Sequence, residues 1–255
     1  MYFLVQEPTK MLLGIQFNLE NNKKWRVLLM SSIMVIQNKN TILMGVDSAL
    51  SCNLDGITYR VNKDEKKIKV IGNKIFVCFG MKKVTDRILD FCESLALLES
   101  NKEDERDKSI NRISKICNEV CKQFNNDKAF KKNNNIRILI ITVDHGTPIL
   151  TTLDSFLDFE PDRFWSLGND YVLTTDGMKK KEMADSAIQY FNECPNLIDV
   201  FRQSYNENSC EAIGGKGVVM GFIDGKFTEH EFDIKEREDL KRIDLEIDLG
   251  EFIYE

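Results

Sequence analysis

Two histidines, seven cysteines and one glycine–lysine run are the first residues to weigh for chemistry. A structural zinc site takes four ligands. His145 lies in the turn Asp144-His145-Gly146-Thr147-Pro148 and His230 in an acidic strand end, neither with a triad around it. Cys117 and Cys121 fall on one face of an expected helix, where two buried small residues explain the spacing better than a metal. The cysteines are odd in number and scattered, so they make no disulfide framework and read as reduced thiols. Gly214-Gly215-Lys216-Gly217 is not a phosphate loop, because the spacing is wrong and no Ser or Thr follows the lysine. Chemistry built on histidine is disfavoured, and no cofactor or metal is expected.

The chain of 255 residues is long enough for one large core, with 42% apolar and 30% charged residues. A net charge of −6 argues against nucleic acid as a partner, since a phosphate-binding surface needs a basic excess. Lys66-Lys67 and Lys179 to Lys181 sit among acids and read as solvated faces. The run Met11 to Phe17 is too short for a secretory segment and follows Glu7 instead of a basic stretch. No run approaches the ~18 apolar residues of a membrane span. A cytoplasmic protein without membrane contact is expected.

Residues 1–30 are mixed in pattern; from Ser31 the pattern sharpens. Ser32 to Gln37 and Thr41 to Val46 are apolar strands joined by the hairpin turn Asn38-Lys39-Asn40. A polar stretch containing Asn53-Leu54-Asp55-Gly56 precedes a second hairpin, Lys66 to Ile71 and Lys74 to Phe79, turning on Gly72-Asn73. Beyond Gly80 the period becomes helical: Val84, Ile88, Leu89, Phe91, Cys92, Leu95 and Leu98 suit one helix. Ile110, Ile113, Ile116, Cys117, Val120, Cys121 and Phe124 suit another. Strands are expected at Ile136 to Val143, Pro148 to Leu153 and Phe164 to Leu167, and helices at about Lys179 to Phe191 and from Pro195 to about Tyr205. Gly217 to Ile223 and Lys226 to Phe232, turning on Asp224-Gly225, close the domain. Residues 233–255 form an acidic tail that alternates acids with Leu and Ile, open to a short helix, an added strand or a partner contact. Strands in two groups with paired helices between them suggest an α+β fold of two sheets covered by helices.

The opening Ser31-Ser32-Ile33-Met34-Val35-Ile36 to Gly45-Val46-Asp47-Ser48 resembles the start of the proteasome β-subunit family and its bacterial relatives, which begin on a nucleophilic Thr. Lys63 stands thirty-two positions after Ser31, as the family's catalytic lysine follows its nucleophile, and Ile75 to Phe79 leading into Gly80 is similar to the family's oxyanion strand. The resemblance covers about residues 31–232. It implies an Ntn-hydrolase: a four-layer αββα sandwich of two antiparallel sheets, acting as a peptidase that needs no histidine.

On that resemblance, Ser31 would be the nucleophile, activated by its own α-amino group of pKa about 7.7–8.0. Lys63, held as ammonium by Asp47, would favour the alkoxide, and the Gly80 N–H would bind the developing oxyanion. The family's Thr is replaced by Ser31, and Met30 replaces the Gly that usually precedes it. Asn169, in Ser166-Leu167-Gly168-Asn169, falls where the family has a supporting Ser. Cys210 and Ile213 stand where it has Asp and Ser. Residues 1–30 are read as a propeptide or as a misread leader: the codons of Trp25 to Val27 can form a ribosome-binding purine run ahead of a start at Met30. Methionine removal would then expose Ser31. The resemblance implies peptide or unfolded-protein substrates, a homo-oligomeric ring and an ATPase as a possible partner. Two other readings stand beside it: a non-catalytic scaffold subunit of the same fold, and an amidase acting on a small amide.

Overall fold

The computed structural model describes residues 28–29, 32–54, 57–62, 65–96, 106–127, 130, 135–166, 168–240 and 242–244. Residues 1–27, Met30, Ser31, Lys63 and residues 245–255 lie outside them. The described residues form an α+β fold of antiparallel sheets and four helices.

Strands β2 (Ser32–Gln37) and β3 (Thr41–Asp47) are buried along their whole length. Their near-continuous apolar run is explained by both faces being covered. Successive side chains point to opposite faces, and they join different clusters. Ile33, Val35, Met44 and Val46 pack with Ile75, Val77, Leu139 and Ile141 of the other main sheet. Met34, Ile36 and Leu43 pack instead against Met183, Ala187, Phe201 and Tyr205 of two helices. The turn between the strands is set by Asn38, whose Oδ1 accepts the N–H groups of Asn40 at 3.0 Å and Thr41 at 2.8 Å.

These strands lie in a five-stranded sheet of order β11-β2-β3-β12-β13, with β11 (Val172–Gly177), β12 (Lys216–Ile223) and β13 (Lys226–Asp233). The helices on its outer face are α3 (Lys180–Glu193) and α4 (Leu197–Glu207). Asn196 caps α4 by accepting the Asp199 N–H at 2.9 Å.

The second main sheet has the order β1-β7-β8-β9-β10, with β6 also on β7. Its strands are β1 (Leu28–Leu29), β6 (Ile68–Ile71), β7 (Lys74–Met81), β8 (Arg137–Asp144), β9 (Thr147–Asp154) and β10 (Asp162–Phe164). The helices α1 (Lys82–Ala96) and α2 (Arg106–Gln123) bury the stripes Val84, Ile88, Leu89, Cys92 and Ile110, Ile113, Cys117, Val120 against Phe76, Cys78, Ile138 and Ile140. Cys117 and the half-buried Cys121 are part of this core packing.

Three elements depart from the sequence reading. The polar stretch after Ser48 is a hairpin, β4 (Leu50–Leu54) and β5 (Ile57–Asn62), to which β14 (Arg242–Asp244) adds in parallel on β5. The acidic tail thus supplies an added strand. The strand expected over Phe164 to Leu167 ends at Phe164, because its register with β9 covers only residues 162–164 and Phe164 and Trp165 are exposed. Beside β3, β2 pairs with β11, an edge strand absent from the sequence reading whose partly exposed Thr-rich sequence carries little apolar signal.

Candidate active site

Asp47 ends β3 and is fully buried. Its Oδ1 accepts the Ser32 N–H at 3.2 Å, and its Oδ2 accepts the Ala49 N–H at 3.2 Å. Oδ2 also takes the Lys67 Nζ at 3.1 Å, with the Lys67 side chain 1% exposed. The carboxylate therefore ties the first described residue of β2 to a buried lysine. Ser31, the preceding residue in the sequence, lies outside the described residues.

The ammonium at Asp47 is that of Lys67, where Lys63 was expected. A count of thirty-two residues from Ser31 presumes a shorter path than the β4–β5 hairpin takes, and the partner comes four residues later. Lys66 is exposed, but Lys67 is not part of a solvated basic face. A lysine is rarely this buried unless paired, and Asp47 is the pairing group.

Burial pushes the Asp47 carboxyl up, opposed by Lys67 and by the N–H groups of Ser32 and Gly214. Burial pushes Lys67 down, opposed by Asp47 and Glu65, while the nearby Arg60 cation adds to the downward push. A lysine so placed holds its proton less firmly than one in water.

Three further features surround the pair. The Tyr205 hydroxyl, on α4, is shared between the carbonyls of Ser32 at 2.9 Å and Gly45 at 2.7 Å, holding the start of β2 from the helix side. The Gly214 carbonyl accepts the Ala49 N–H at 3.2 Å, and the Ser48 Oγ accepts the Lys216 N–H at 2.8 Å, so the 210–216 loop closes over the end of β3. Cys210 and Ile213 in this loop bond each other through their backbones. Thirdly, a cavity of about 320 Å³ opens beside Lys67, lined also by Glu65, Cys78, Lys82 and Asp86. Lys82 there bonds Glu65 at 2.7 Å and Asp86 at 3.0 Å; burial lowers its pKa, but these two carboxylates outweigh it and leave it raised.

Gly80 lies near the end of β7, opposite Leu29 of β1. Its φ is +113°, and a Cβ there would meet the Asn135 carbonyl and the Ile136 side chain at 2.5 Å. Gly80→Ala is expected to cost about 1–3 kcal/mol in urea unfolding. Gly146, with φ +81° but open space around it, is the control. Equal losses at both positions would show that the Asn135–Ile136 contact yields.

Asn169 does not join the site. It is exposed, and its carbonyl accepts from the Asn38 side chain at 3.2 Å, at the far end of β2 from Asp47. The β11 residues opposite the start of β2 are Asp176 and Gly177, where Asp176 pairs with Arg137. His145 and His230 are also away from Asp47: one is in the β8–β9 turn, the other bonds Thr228 at 2.8 Å on β13.

No family model matches the sequence, and no curated protein matches it. Among the described residues, no helix is long and apolar enough to cross a membrane, and no group of His, Cys, Asp and Glu could hold a metal ion.

Proposed function

We propose that this protein is an N-terminal-nucleophile hydrolase of the proteasome type, a four-layer αββα sandwich that cleaves peptide bonds with Ser31. The observation that carries this reading is the buried Asp47–Lys67 pair, tied to the Ser32 amide one residue beyond the nucleophile. Lys67 takes the role for which Lys63 was the sequence candidate. The three apolar clusters, helix to sheet, sheet to sheet and sheet to helix, support the sandwich.

In turnover, the Ser31 α-amine takes the hydroxyl proton as Oγ attacks the scissile carbonyl. The Gly80 N–H bonds the oxyanion, and the proton passes to the departing amine, leaving an ester on Ser31. Water then hydrolyses the ester. In the uncut chain the Ser31 nitrogen is an amide and cannot act as base. Release of the leader by attack of Ser31 Oγ on the Met30 carbonyl therefore needs another proton acceptor, and Lys67, with its pKa lowered by burial, is the candidate.

A peptide substrate is favoured over a small amide by β1. Leu28–Leu29 lies antiparallel on Gly80–Met81 and also packs beside β4, so an extended chain already occupies this slot. Exposed Phe156, Leu157, Phe164, Trp165, Tyr171 and Val172 at β10, β11 and the turn after β9 support assembly into a homo-oligomer.

Fluorogenic peptides test the reading against the amidase and the scaffold. Purified trimmed protein is expected to cleave peptides faster than small amides, with activity lost in Ser31→Ala. Turnover of amides alone would select the amidase, and no turnover of either would select the scaffold.

A further inference from the structure

A second, partly buried ion pair stands behind the first. Arg60, on β5, is 1% exposed, and its Nη1 is paired with Glu236 of the C-terminal segment. Its Nε and Nη2 are buried and have no hydrogen-bond partner among the described residues. Glu236 also accepts the Gly215 N–H at 2.9 Å. Between the two pairs runs the backbone of Gly214, whose carbonyl on one side accepts the Ala49 N–H that also bonds Asp47. On its other side a Cβ would collide with Glu236 and lie 2.6 Å from the Arg60 Nη2. Only a glycine lets the two pairs approach this closely.

We infer that Arg60 and Glu236 are a positioning pair for Lys67: the C-terminal segment delivers the carboxylate that offsets a second buried cation, and the balance between them adjusts the charge that burial and Asp47 give Lys67. The inference rests on the reading that Lys67 serves the reaction, but it is a statement about charge and can be tested without turnover. The charged groups facing Lys67 are Asp47 from β3, Glu65 from the segment before β6 and Arg60 from β5; Lys82 bonds Glu65 and Asp86, and Glu236 pairs with Arg60. Among these, Arg60 is the cation that opposes protonation of Lys67, and Glu236 is the group that mutes it.

The two halves of the pair should therefore act with opposite sign. Glu236→Gln leaves Arg60 unbalanced and is expected to move the Lys67 titration midpoint to lower pH. Arg60→Met leaves Glu236 unbalanced and is expected to move it to higher pH, each by an amount on the order of one pH unit. Arg60→Lys, which keeps the charge, should titrate like the unmodified protein and serves where Arg60→Met fails to fold. The midpoint is read from the Lys67 side-chain signal in lysine-labelled NMR spectra, assigned with Lys67→Met. The alkaline limb of kcat/KM for peptides, where the ammonium is lost, should move in step. Loosening of the site would re-expose Lys67 and raise the midpoint in every variant. An upward shift in Glu236→Gln, or no shift in either single variant, overturns the inference. Opposite shifts with no peptide turnover in any form would leave the charge balance standing and remove the peptidase reading instead.

Discussion

Lys67→Met is expected to lower peptide turnover by about 10²–10³-fold, the range ordinarily lost with one group that stabilises charge at the reacting oxygen, while the fold survives. Lys67 is the only described lysine on the Asp47 carboxylate, and its Nζ stands 3.1 Å from Oδ2. Methionine fills a similar volume without charge, so the packing around β6 is kept. Asp47 retains the Ser32 and Ala49 N–H groups and can take a proton, since burial already favours its neutral form. The loss should appear in kcat more than in KM, because the lysine acts on the reacting atoms and not on remote parts of a peptide. Lys63→Met should leave turnover near that of the unmodified protein. Full activity in Lys67→Met, or a matching loss in Lys63→Met, would return the catalytic role to the lysine chosen by spacing.

Asp47→Ala is expected to be the most destabilising single substitution at the site, at about 3–5 kcal/mol near neutral pH, because it leaves a buried ammonium without its partner. The sign of the pH dependence follows from Lys67. Burial holds its folded pKa below the unfolded value of about 10.4, and removing Asp47 removes the main opposing attraction. Between the lowered folded value and the unfolded one, the unfolded chain binds the extra proton, so stability of the variant rises with pH across that window. Urea unfolding at neutral and at mildly alkaline pH reads this directly. The paired substitution Asp47→Leu with Lys67→Met should regain most of the stability, since buried ion pairs can be replaced by apolar groups of similar volume at little cost. It should remain inactive. A loss below about 1 kcal/mol for Asp47→Ala, or a loss that does not change with pH, would mean that the pair is wetter than its burial indicates.

Local chemistry made much of the fold readable in the sequence. The Asn38 turn, the Gly72-Asn73 hairpin and the helical stripes from Val84 and Ile110 are written in neighbouring residues, and they sit where the pattern put them. Strand β2 was legible because four successive apolar residues follow Ser32, a run that two covered faces require. The β4–β5 hairpin was not, because its sequence is polar, and this shifted the lysine by four positions. The signal that could have found Lys67 is its place directly before the apolar positions Ile68, Val70 and Ile71 of β6, in register with Val77 to Lys74 of β7. Asn169 was misplaced because β11 was overlooked, which put the loop before that strand where the end of the strand belongs. Tyr205 reaches Ser32 and Gly45 across 173 and 160 residues of chain, and Glu236 reaches Arg60 across 176, contacts that leave no local mark.

Reaction of the native protein with an acylating probe for N-terminal hydroxyl nucleophiles, followed by intact-mass and peptide mapping, tests the central claim most directly. The account predicts a chain that begins at Ser31 and carries one adduct on that residue. The adduct should be absent from Ser31→Ala and strongly slowed in Lys67→Met. A native chain that still carries residues before Ser31, or a correctly trimmed chain that takes up no probe, would contradict it.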